Sequence, residues 1–344
     1  MLAGPRDAVV RDVEAPVASA GQVVVDVDRV GVCGTDVEFF TGEMAYLHDG
    51  HASYPMRLGH EWCGRVTAVG EGVDSAWVGT RVTADTMLGC GTCRRCVSGR
   101  QHLCAARHEI GIRGGWPGAL AEQLAVPATA LHALPDAVDD TAGALAEPGG
   151  NALRAVQAAA VGEGDRLLIW GPGSIGLLAA AFASARGVEV HLIGPSPALA
   201  FARSLGYANT WEASALPPVP FDAVIDATYG AEVPQAALDL VEPGGRLVLI
   251  GLSGKPSLID TRALVLGDIT AVGILSASPG LAGAIEHYAT GQVDPRPLVA
   301  ATVGLDEVAD VLAGGRPPGV GPGPKFHVDP RRLSRVGRWE DVTR

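Results

Sequence analysis

Residues 171–176 read Gly-Pro-Gly-Ser-Ile-Gly, a G-x-G-x-x-G turn between the apolar run 165–170 and a helical apolar pattern at 175–186. In that setting Gly171 makes the tight turn, Gly173 lets backbone approach a pyrophosphate, and Gly176 lets helix and strand pack closely. Ser174 and Ile175 open the helix whose amides would face the phosphates. A glycine-rich surface turn has the same composition; the strand before and the helix after favour a dinucleotide site. Further apolar runs at 188–193, 221–227, 246–251 and 269–274 alternate with mostly helical segments. That alternation points to an α/β chain with a doubly wound parallel sheet. The fingerprint expects an acid at the end of the second strand, where it binds the ribose hydroxyls. Gly194 stands there instead, followed by Pro195 and Ser196. Without the carboxylate a 2′-phosphate is admissible, with the Ser196 hydroxyl and Arg203 on the following helix as candidate partners. NADP is therefore expected in preference to NAD.

Cys90, Cys93, Cys96 and Cys104 place four of the six cysteines in one short loop, spaced C-x2-C-x2-C-x7-C. Such a loop suits a tetrahedral four-thiolate zinc site, and Gly89, Gly91 and Gly99 free the backbone to wrap it. Disulfides compete, but no signal peptide is recognisable, and clustered cysteines in an acidic, enzyme-sized chain are more often metal-binding. A bacterial iron–sulfur run would close with x3-C-P, whereas the last gap here is seven residues and Ala105 follows. A closed shell of four thiolates leaves no position for a substrate, so this zinc is expected to brace the loop.

The first third has a different texture. Residues 21–30 alternate apolar and polar side chains, and 62–69 and 79–85 are further short strands divided by the Gly70 and Gly72 turn. Such strands suggest a barrel or sandwich. Residues 142–160 are alanine-rich with helical spacing, interrupted at Pro148, Gly149 and Gly150; after 275 the pattern loosens, with one helix expected at 280–290. A chain of 344 residues accommodates two domains. The formal net charge of −12 argues against a nucleic-acid partner and an anionic membrane surface. No apolar run approaches the ~20 residues of a membrane span. Arg331, Arg332, Arg335 and Arg338 sit beside Glu340 and Asp341 and read as a solvated tail. A soluble cytoplasmic protein is the expectation.

Cys33 ends one expected strand and His60 begins another. With a carboxylate they would make three zinc ligands from separate elements, leaving a fourth position open. Taken singly, a buried cysteine is usually a small hydrophobe, as Cys63 reads, and a histidine is more often structural. The combination changes the odds. The segments 31–36, 58–64, the four-cysteine loop and 171–176 occur in the order and spacing of the zinc-dependent medium-chain dehydrogenase/reductase family. The chain resembles that family (alcohol, sorbitol, glucose and threonine dehydrogenases) from Val23 to about Pro330.

The resemblance implies a GroES-like β-rich catalytic domain at 1–150 plus 276–344, carrying two zincs, and a Rossmann domain at 151–275. It implies that Cys33 and His60 bind the catalytic zinc, that Glu61 can enter or leave its coordination, and that Asp36 orients the imidazole. Glu147 stands where alcohol dehydrogenases place a cysteine, as in the sorbitol- and glucose-dehydrogenase-like branch, which implies a direct or water-bridged role at the metal. Read alone, Glu147 is an acidic helix start followed by Pro148. Thr35 matches the hydroxyl that accepts the substrate's proton. Glu38 stands where many relatives continue the relay with histidine, and could itself pass a proton to water. The implied reaction is hydride transfer between a secondary alcohol or polyol, or its ketone, and a nicotinamide cofactor, in a homodimer or homotetramer. The polar loop 44–54 suits a polyhydroxylated substrate or is simply solvated. A biosynthetic reductase, for instance on an aminocyclitol route, would use the same groups; a non-catalytic zinc protein would have lost them.

Overall fold

Period-two apolar patterning folds the first third into antiparallel strands, and the alternating segments after residue 165 into parallel ones. The computed structural model describes residues 1–332; Arg335, Arg338, Glu340 and Asp341 lie outside the described residues. Two compact units result: Met1–Glu147 with the segment from Val299 onward, and Pro148–Leu298.

In the first unit the main sheet runs Val299–Val303, Lys325–Val328, Gln22–Val32, Glu61–Val69, Arg81–Ala84, Leu131–Ala133. Gln123–Pro127 also pairs with Gln22–Val32. Only the first two strands are parallel neighbours. Val23, Val25, Val27 and Val30 are fully buried and share one core with Trp62, Val66, Leu124 and Phe326. Each such side chain contributes roughly 1.5–3 kcal/mol by leaving water, which pins the register of a strand whose faces differ. Between Val27 and Arg29 the register against Glu61–Val69 shifts. This irregularity re-phases the alternation: beyond it Val30 still faces the core, while Gly31 lies opposite Glu61. The site depends on that change of phase.

In the second unit six parallel strands lie in the order Thr210–Trp211, Glu189–Ile193, Arg166–Trp170, Phe221–Asp226, Val241–Leu249, Thr270–Gly273. In chain order this is third, second, first, fourth, fifth, sixth, the doubly wound arrangement with its switch point beside Arg166–Trp170. The expected break at Pro148 does not occur, because the helix Ala146–Ala159 runs through it. Proline is tolerated in a first helical turn, where its missing N–H is not needed. A Cβ on Gly149 would stand 2.1 Å from the Tyr288 hydroxyl, and one on Gly150 would stand 3.0 Å from the Leu281 amide. The two glycines thus admit the helix Leu281–Ala289, whose Tyr288 stacks on Phe182 at 6.0 Å. Residues 276–298, which the sequence reading assigned to the first unit, therefore lie in the second.

Candidate active site and metal centres

Cys33 caps the helix Gly34–Thr41: its sulfur faces the amide of Asp36, while Asp36 Oδ2 accepts the Cys33 amide at 2.9 Å. The other Asp36 oxygen accepts the Gly59 amide at 3.3 Å and stands 3.6 Å from His60 Nδ1. Asp36 therefore ties the cysteine's helix to the loop bearing the histidine, and is itself fully buried. Burial pushes the His60 imidazole down, but Asp36 and then Cys33 carry it well above its ordinary value. A negative environment that attracts a proton this strongly also suits a dication.

Donor atoms of Cys33, His60 and Glu61 all lie within 4.8 Å of one another. Thiolate, imidazole and carboxylate make a donor set that zinc accepts, and three of them leave one position free. Glu147 does not join this group; it sits in the first turn of Ala146–Ala159, 8% exposed. Glu61 has a partner the sequence reading missed. Lys325 Nζ donates to both of its carboxylate oxygens, at 2.8 and 2.7 Å, and to the Val32 carbonyl at 3.1 Å. Both side chains are almost wholly buried. A Cβ on Gly31 would lie 2.2 Å from Glu61 Oε2, so only glycine leaves room for this carboxylate. Thr35 occupies the second position of its helix, and Glu38 follows one turn later, on the same face. Burial first, and then Glu43, raise the Glu38 carboxyl.

The second group is Cys90, Cys93, Cys96 and Cys104, with sulfurs within 4.8 Å of one another. Sulfur–sulfur distances are 3.9 Å for Cys90–Cys96, 3.5 Å for Cys93–Cys96 and 3.8 Å for Cys93–Cys104. A tetrahedron of Zn–S bonds has edges of about 3.8 Å, whereas a disulfide requires ~2.05 Å; all six cysteines are free. Hydrogen bonds from the Thr92 and Cys93 amides hold Cys90 down to about 6, as a thiolate at neutral pH. Cys63 stands apart, buried, with its thiol on the Asp140 carbonyl at 3.2 Å and raised by burial.

Loop 44–54 is not a free flap. The Tyr46 hydroxyl donates to Glu109 Oε1 at 3.3 Å, Arg107 contacts both, and Arg113 lies over the Tyr46 ring.

In the second unit Gly171 follows Arg166–Trp170 with φ 98°, and Gly173 caps the helix Ser174–Ser184. A Cβ on Gly176 would meet the Gly171 carbonyl oxygen at 2.0 Å, as close helix–strand packing requires. A cavity of about 450 Å3 opens at the ends of Phe221–Asp226 and Val241–Leu249, lined by Asp226, Thr228, Leu249 and Gly251. Gly194 has a steric reason: a Cβ there would lie 2.4 Å from Pro172 Cδ, inside the glycine turn. The two residues read as phosphate partners are engaged elsewhere. Ser196 donates to Glu212, and Arg203 Nε donates to Thr210 at 2.7 Å. Glu212, unmarked in the sequence reading, directly follows the strand Thr210–Trp211.

Comparison with known proteins gives a consistent result. Residues 19–136 match the family described as alcohol dehydrogenase GroES-like domain, and 174–289 match zinc-binding dehydrogenase. A 2-dehydro-3-deoxy-L-galactonate 5-dehydrogenase from Pseudoalteromonas atlantica is 30% identical, covering 88% of this chain and 90% of its own. An alcohol dehydrogenase from Escherichia coli CFT073, solved with NADH, superposes with a TM-score of 0.86 at 26% identity, covering 95% of this chain and 97% of its own. A zinc-binding dehydrogenase from Sinorhizobium meliloti, bound to NADP, gives 0.86 at 28% identity, covering 96% and 98%.

Proposed function

The chain belongs to the zinc-dependent medium-chain dehydrogenase family, and on that premise we propose that it moves a hydride between a secondary alcohol or polyol, or the corresponding ketone, and a nicotinamide cofactor. The convergence of Cys33, His60 and Glu61 donors within 4.8 Å carries this reading. Sugar-acid and polyol oxidation fits the activity in the name of the galactonate-type relative.

Cys33, His60 and Glu61 would hold the catalytic zinc, and the four-cysteine loop a structural one. Zinc at the first site would supply Lewis acidity, lowering the pKa of an alcohol oxygen toward neutrality. The protein's own groups do the rest. Asp36 keeps the imidazole in position. Thr35 accepts the substrate's hydroxyl proton and hands it toward Glu38, whose raised carboxyl is closer to the range where it can exchange it with water. Lys325 balances the Glu61 charge and governs how freely that carboxylate reaches the metal. A nicotinamide cofactor held by the turn at Gly171, Gly173 and Gly176 would supply the hydride acceptor for alcohol oxidation, or the donor for reduction of a ketone. Glu147 would take the direct or water-bridged place at the metal that the family resemblance implies.

Gly194 alone argues for NADP. The Glu212 carboxylate on Ser196 argues the other way, because it would repel a 2′-phosphate and accept a hydrogen bond from a ribose hydroxyl. We therefore favour NAD. The free thiols suit a reducing cytoplasm. The test is turnover of a polyol and sugar-acid panel with metal-assayed protein. Wild type should carry two zincs and oxidise at least one substrate class; Cys33→Ser should keep the loop zinc and lose turnover. Undiminished activity in Cys33→Ser would sink the assignment.

A further inference from the structure

A cavity of about 490 Å3 lies within the first unit, away from both metal groups. Its walls are the exposed segment 8–16, Arg57 and Leu58, residues 120–123, and the helix Val308–Leu312. Leu2, Leu58, Leu120, Leu305, Val308 and Leu312 give it apolar surface. The volume falls in the ordinary range for small-molecule sites, about 300–1,000 Å3.

Arg57 is the group that calls for a ligand. Its Nε is buried and has no hydrogen-bond partner. Burial pulls the guanidinium below its ordinary pKa. A half-buried guanidinium with an unpaired Nε is costly, and a guanidinium matches a carboxylate bidentately. Acids do line the cavity, but Asp12, Glu14, Glu122 and Asp306 are all exposed, where solvent screens them. Asp26 is engaged by Gln123 at 2.8 Å, and Arg331 by Asp28. Among the residues that line the cavity, Arg57 is the one that leaves a buried side-chain nitrogen without a partner.

We propose that this cavity is a second small-molecule site, which takes an organic carboxylate with an apolar body and anchors it on Arg57.

The test is calorimetric titration of the zinc-loaded full chain with octanoate, octanol and inorganic phosphate. Octanoate should bind saturably at one per chain, octanol about tenfold more weakly or worse, and phosphate without saturation. Arg57→Leu should weaken octanoate about tenfold or more. Ala309→Trp, which fills the cavity from its helix, should abolish binding while zinc content and turnover stay unchanged, and it decides the matter if Arg57→Leu fails to fold. Cys33→Ser should bind octanoate as wild type does. Binding lost in Cys33→Ser but kept in Ala309→Trp would put the carboxylate at the metal centre and overturn the proposal. So would equal binding of octanol, saturable binding of phosphate, or no binding of octanoate.

Discussion

At the scale of single residues, the site is a set of buried charges that must balance. Glu61 and Lys325 are 1% and 3% exposed, and removing one partner of such a pair typically costs about 3–5 kcal/mol, because the other charge is left without compensation. Lys325→Met should destabilise zinc-depleted protein by about that much relative to wild type, and zinc-loaded protein by less, since the metal then takes up the Glu61 charge. Urea unfolding of both proteins in both states measures it; equal losses would mean that Glu61 does not reach the metal. Glu212 offers a second charge test. Glu212→Gln should raise kcat/KM with NADP relative to NAD by about tenfold, the effect of ~1.4 kcal/mol of relieved repulsion. A ratio that stays put would free Glu212 of the cofactor. Cys33, His60 and Glu61 could be marked in the chain through the family resemblance that segments 31–36 and 58–64 carry. Lys325 could not: it is a lone lysine at the head of a short strand, and its ion pair spans 264 residues. Glu212 escaped for a related reason. Gly194 marked where an acid was missing, but the replacement comes from the next strand, through Ser196.

At the scale of elements, steric fit explains what propensity left open. The run of glycines around 171–176 was legible because strand, turn and helix follow in one continuous stretch. The reason for Gly194 was not, since its constraint is the Pro172 ring reached across two neighbouring parallel strands. Gly194→Asp alone should therefore weaken NAD binding and lower the thermal midpoint by several degrees, as overpacking costs about 1–3 kcal/mol. Adding Pro172→Ala should recover most of the midpoint. A single mutant as stable as wild type would show that the turn yields easily. The helix Ala146–Ala159 teaches the same lesson. Pro148 with two glycines looks like a break in sequence, yet proline suits the first turn and the glycines make room for Leu281–Ala289.

At the scale of the whole molecule, the strand Thr270–Gly273 ends the parallel sheet with only one neighbour among the described residues. Nearby in sequence, Leu258, Val265 and Leu266 are 91%, 78% and 79% exposed, an unusual amount of apolar surface beside an open edge. We propose that a homodimer contact lies there. Val265→Asp with Leu266→Asp should convert the assembly to monomer in sedimentation analysis, leaving both zincs bound; an unchanged sedimentation coefficient would move the contact elsewhere. Among the described residues no helix is long and apolar enough to cross a membrane. The ion pair of Glu61 with Lys325 also has a consequence in time. A ribosome makes Glu61 early and Lys325 only after the entire second unit, Pro148–Leu298, has been synthesised. Until then the strand Gln22–Val32 lacks its neighbour Lys325–Val328, and the glutamate lacks its counter-charge. The first unit therefore cannot complete its main sheet, nor Glu61 meet its counter-charge, until the chain has been made through Lys325–Val328.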